Sequence, residues 1–99
     1  MDRAAFGAFM QAVRAAKPHV FPMQDVVRAQ IGRQYLTSLQ LASVLEEFKP
    51  HVFPMKEVVE LCAPRLVDPQ NGGVATATFR PHVFPMKEAA ALINAQSGD

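Results

Sequence analysis

The hexapeptide Pro-His-Val-Phe-Pro-Met stands in this chain three times, at Pro18–Met23, Pro50–Met55 and Pro81–Met86. Equivalent residues such as His19, His51 and His82 are offset by 32 and then 31 positions. A basic residue precedes each copy (Lys17, Lys49, Arg80), and an acidic residue follows it two places later (Asp25, Glu57, Glu88). Self-similarity at such a period marks a helical-repeat architecture. The two prolines also constrain the backbone. The first ends a helix, because proline lacks the amide donor and clashes with the turn before it. The residue before the second proline is pushed toward extended backbone, and that proline fits the first position of a new helix.

Apolar spacing supplies the helices on either side of each joint. Asp2 is an N-cap for a helix reaching about Ala16, with Phe6, Phe9, Met10 and Val13 on one face. After the first joint, Met23, Val26, Val27 and Ile31 form a second stripe, which Gly32 ends. Thr37 and Gln40 have capping-box spacing, and the helix they open presents Leu41, Val44, Leu45 and Phe48. Met55, Val58, Val59 and Cys62 follow the second joint, and Pro64 closes that helix.

The third stretch is less regular. Asp68-Pro69-Gln70-Asn71-Gly72-Gly73 is turn chemistry, and Val74–Phe79 reads as strand or helix by composition. Phe79 stands where Phe48 stands relative to the next joint, which favours a short helix. Met86, Ala89, Ala90 and Ile93 define the last helix, and Asn94–Asp99 reads as a frayed tail. The expected fold is therefore all-α: three helix-loop-helix repeats of about 32 residues, at about 2–34, 35–66 and 67–99, packed as one small domain.

Thr37 with Gln40, Val44-Leu45, Phe48, Asp68 with Asn71, and Phe79 leading into the last helix together resemble the uncharacterised helical domain known as domain of unknown function 4476. The resemblance covers most of the chain and rests on spacing and residue type. It implies an all-helical module of repeated helix pairs, commonly attached to larger proteins, and no catalytic residues.

Composition narrows the function classes. With 99 residues, 49% of them hydrophobic and 19% charged, the chain is sized for one core and is not disordered. A net charge of +1 with both signs interleaved carries no nucleic-acid footprint. No stretch has the roughly 18 apolar residues of a membrane helix. No signal peptide is read at the start, and the single cysteine, Cys62, excludes an internal disulfide and fits an intracellular setting.

Among chemistry-bearing residues, His19, His51 and His82 are the first to weigh. Three imidazoles can hold zinc, but a stacked array spaces equivalent loop residues apart, and the bland reading is histidines that cap helices or face water. Phe21, Met23, Phe53, Met55, Phe84 and Met86 read as structural joints, packed in the core beside the valines. Exposed knobs at an interface are the alternative. Starting from Asp68, the twelfth position is Phe79, so a calcium loop fails. Cys62 reads as inert core, and Ser38, Ser43, Glu46 and Glu47 as a solvated helix face. No acid, base and nucleophile come together in the pattern, and no cofactor is implied.

The expected function is a non-enzymatic protein-interaction or scaffold module whose partner is another protein or peptide. Its contacts would be Lys17, His19, Lys49, His51, Arg80 and His82, which are polar, repeated and adjacent to turns. Two other readings are a metal site made of the three histidines, and a designed chain in which one junction peptide was written three times without a native activity.

Overall fold

The computed structural model describes residues 1–97. Its six α-helices are α1 (Arg3–Ala15), α2 (Val20–Ile31), α3 (Ser38–Phe48), α4 (Val52–Cys62), α5 (Gly73–Thr76) and α6 (Val83–Asn94). Short 3-10 turns lie at Ala63–Arg65, Pro69–Asn71, Ala77–Phe79 and Ala95–Ser97. Among the described residues there is no strand, only a one-residue parallel bridge between Leu36 and Leu66. None of the helices is long and apolar enough to cross a membrane.

The helices form two layers. α1, α3 and α5 lie side by side in one, α2, α4 and α6 in the other, and across the layers α1 packs on α2, α3 on α4 and α5 on α6. Between the layers the stripes meet: Phe9, Val13, Met23, Val27, Leu41, Leu45, Phe48, Met55, Val59, Phe79 and Ile93 are all buried. The expected short helix before the third joint is present as α5 with the 3-10 turn Ala77–Phe79, and its Phe79 is buried like Phe48.

Helix ends follow from local chemistry. Asp2 caps α1 by accepting from the Ala5 N–H at 2.7 Å. At α3 the reciprocal box forms: the Gln40 N–H donates to Thr37 Oγ1, and the Thr37 N–H donates to Gln40 Oε1, both at 3.0 Å. Asp68 adds to this cap from the far side of the chain. Its carboxylate accepts from the Ser38 N–H at 2.6 Å, and its carbonyl accepts from the Ser38 hydroxyl at 2.9 Å. Burial pushes the Asp68 carboxyl up, but the bonds from Ser38 and Asn71 outweigh it and hold the group below its usual value. Ser38 is thus fully buried and no part of a solvated face.

Three other expectations need correcting. α2, α4 and α6 start two residues earlier than proline placement predicts, at Val20, Val52 and Val83. The second proline of each joint is then the third helical residue, where no intrahelical acceptor waits for its missing N–H. The valine and phenylalanine before it are accordingly helical, and only the histidine ahead of them lies outside the helix, with ψ of 89–100°. At the other end of the chain, Asn94 belongs to α6 and residues 95–97 continue in a 3-10 turn, so only residues 98–99 of the expected tail lie outside the described part.

Candidate binding edge

The three joints have one local form. The bond before the first proline is cis in each: Lys17–Pro18, Lys49–Pro50 and Arg80–Pro81. His19, His51 and His82 are the N-cap residues of α2, α4 and α6. Each histidine N–H donates back to the carbonyl of Ala16, Phe48 or Phe79, at 2.8–3.0 Å, and each histidine carbonyl accepts from the methionine N–H at 3.0 Å. The imidazoles make no capping bond and stay exposed. Lys17, Lys49 and Arg80 are exposed as well.

The helix start explains a reversal in the role of the phenylalanines. At about 100° per residue, the residue two before the buried methionine lies about 200° away round the helix. Met23 and Met55 are buried accordingly, while Phe21, Phe53 and Phe84 are 72%, 78% and 78% exposed. These phenylalanines are not joints. Only the methionines fill that role, and Met86 does so partly buried against the core. A helix read as starting at the valine would have placed every phenylalanine outside.

Because α4 packs against both α2 and α6 with the joints adjacent, the three phenylalanines stand in a row on neighbouring helix starts. Two ties hold these starts together. The buried Gln24 donates from Nε2 to the Pro54 carbonyl at 3.4 Å, and Lys56 Nζ reaches Glu88 at 2.9 Å. Sequence periodicity does not show Gln24 as a buried residue, since it interrupts an apolar stripe. A cleft of about 560 Å³ lies between α2 and α4, lined by Arg28, Phe53, Lys56, Glu57, Glu60 and Leu61.

The basic residues and histidines come together pairwise between successive joints. A hollow of about 240 Å³ is lined by Lys17, Pro18, Val20 and Met23 from the first joint and by Glu47, Lys49 and His51 from the second. Another, of about 180 Å³, is lined by Lys49, Pro50, Val52 and Met55 with Thr78, Arg80, Pro81 and His82. In the first hollow Glu47 bonds to Lys17 at 2.5 Å and to Arg14 at 3.0 Å. The hydrogen bond from Lys17 is the main reason its carboxyl sits below the usual value. Glu47 is therefore an ion-pair partner and not a free surface charge.

The geometry also limits what chemistry is available. Among the described residues no group of three or more His, Cys, Asp or Glu side chains is placed to hold a metal ion. His19, His51 and His82 cap three separate helices, so the three-histidine site does not form in this arrangement. Cys62 is fully buried, and burial pushes its thiol up to about 12, which leaves no thiolate at neutral pH. Compared with known proteins, the chain matches no family model, no curated protein and no solved structure.

Proposed function

We propose that this chain is a non-enzymatic interaction or scaffold module, built of three helix pairs of about 32 residues, that binds another protein or peptide along the edge formed by its joints. The observation that carries this reading is the row of exposed Phe21, Phe53 and Phe84 on three adjacent helix starts. An aromatic ring left in water at one place is ordinary. Three at equivalent places, rimmed by exposed Lys17, His19, Lys49, His51, Arg80 and His82, make a repeated surface of aromatic anchors with a polar rim, as interfaces have.

Burial at equivalent positions supports the three-unit reading. Gln30 is exposed in the first pair where Cys62 and Ile93 are buried, and Asn94 is exposed in the last where Ile31 and Ala63 are buried. Polar residues on the outer faces of terminal units are what a short stacked array requires. The likeness to domain of unknown function 4476 belongs to the same proposal.

The test is selection of peptides from a random displayed library on the folded chain. A variant with Phe21, Phe53 and Phe84 all replaced by Ala is checked for unchanged helicity by circular dichroism. Selected peptides are expected to bind that variant about tenfold or more weakly, in keeping with aromatic anchors dominating interface energy. Peptides that bind both proteins equally would sink the reading.

A further inference from the structure

The two hollows between successive joints are lined mostly by equivalent residues, and they differ in one acid. Lys17, Pro18, Val20 and Met23 in the first correspond to Lys49, Pro50, Val52 and Met55 in the second. Lys49 and His51 correspond to Arg80 and His82. Glu47 corresponds to Thr78. In the first hollow the chain thus supplies its own carboxylate, which takes hydrogen bonds from Lys17 and Arg14. In the second that carboxylate is replaced by a hydroxyl, whose proton goes to the Ala75 carbonyl at 2.6 Å.

Of the two cations on Glu47, Lys17 has its counterpart in Lys49, whereas Arg14 has Glu46, an acid. Arg80 has no ion pair among the described residues, and Lys49 is held only by Glu46 of its own helix, at 3.1 Å, with both side chains exposed. An exposed pair of this kind is weak, and an ammonium has three donors, so Lys49 keeps others to offer. Pro50, Val52, Met55 and Pro81 form the apolar walls. An arginine fork beside an ammonium is the donor set that recognises a carboxylate.

We infer that the hollow between the second and third joints binds an Asp or Glu side chain of the partner, held chiefly by Arg80 beside the space where Thr78 stands in place of Glu47. The inference rests on the proposed interaction role and adds the chemistry of recognition to it. The partner segment is then acidic beside an apolar residue, with the carboxylate on Lys49 and Arg80 and the apolar residue against the phenylalanine row.

The experiment is a titration of the ¹⁵N-labelled full chain with acetyl-Leu-Glu-Leu-amide and with its glutamine counterpart, followed by NMR. The glutamate peptide is expected to move the Arg80 Nε–H and the Val83 amide, and the glutamine peptide to bind about tenfold more weakly or less tightly still. Thr78→Glu is expected to abolish the response by filling the hollow from within. Glu47→Thr is expected to create a second response at Lys17 and Val52. Because Thr78 is buried, Arg80→Gln, an exposed change, serves as an independent variant and is expected to lose the glutamate preference with the fold intact.

Equal binding of the two peptides, or an unchanged glutamate preference in Arg80→Gln, overturns the inference, as does the absence of any shift. Tighter binding of inorganic phosphate than of the glutamate peptide overturns the assignment to carboxylate. These outcomes are separable from failure of the interaction reading, which is judged by the phenylalanine variant and not by charge.

Discussion

The first and second joints share six identical residues yet differ in what surrounds them. At the first, Lys17 reaches across to Glu47 of α3, so the joint is neutralised by the next helix. At the second, Thr78 stands in the place of Glu47, and Lys49 turns back to Glu46. The helices behind the joints differ too. α3 is eleven residues long with a reciprocal cap, whereas α5 has four residues and a Gly72 cap with no side-chain bond. The hexapeptide thus sets a local backbone form, and the helix beside it sets the electrostatics. Repetition of a motif is not repetition of a site.

The largest test of that comparison concerns the aromatic residue buried just before each joint. Phe48→Ala is expected to cost about 3–5 kcal/mol by denaturant unfolding, with Phe79→Ala toward the lower end because the short α5 can collapse into the space. A larger loss at Phe79 would reverse the view that the second half is the more yielding. Glycines give a sign test. An added Cβ at Gly72 would meet Ile93 Cγ2 at 2.5 Å, and one at Gly32 would meet nothing within 4 Å. Gly72→Ala is expected to destabilise by about 1–3 kcal/mol through overpacking. Gly32→Ala is expected to stabilise by about 0.4–1 kcal/mol by restricting the unfolded chain. Melting temperatures that move in the same direction would remove the contrast.

Smaller effects follow. Thr37→Ala is expected to cost about 1 kcal/mol through loss of the α3 cap, which α5 does not have to lose. Glu47→Gln is expected to cost about 0.5 kcal/mol near neutral pH, since Arg14 and Lys17 are partly exposed and solvent screens the pairs. Glu47 has its folded pKa below the ordinary 4.5, so its contribution is complete above that value. It is lost as the pH falls through the lowered folded value. Unfolding of wild type and Glu47→Gln should therefore converge in acid, and a gap that persists there would assign the effect to packing. Least of all, Phe21→Ala, Phe53→Ala and Phe84→Ala are each expected to shift stability by no more than about 0.5 kcal/mol, in contrast to Phe48→Ala.

Much of the fold was legible because it depends on short-range rules. The Thr37–Gln40 spacing foretells the cap, and the stripes at Leu41–Phe48 and Met55–Cys62 foretell their buried faces. The phenylalanines were misjudged from a single assumption, that a proline following an apolar residue opens the helix. With the helix opening at the valine, the same periodicity turns those rings outward. Glu47, Ser38 and Gln24 were illegible for another reason. Each looks like an ordinary surface residue in its own helix, and its partner lies about 30 residues away: Lys17, Asp68 and Pro54 respectively.

The amino-acid sequence alone determined the all-helical class, the places where prolines interrupt it and the apolar stripes of the helix interiors, since all three arise from backbone sterics and apolar period. Only the tertiary structure decided which joints face which helices. Long-range pairing depends on how layers stack, and stacking set Glu47 against Lys17 in one hollow and Thr78 beside Lys49 and Arg80 in the other.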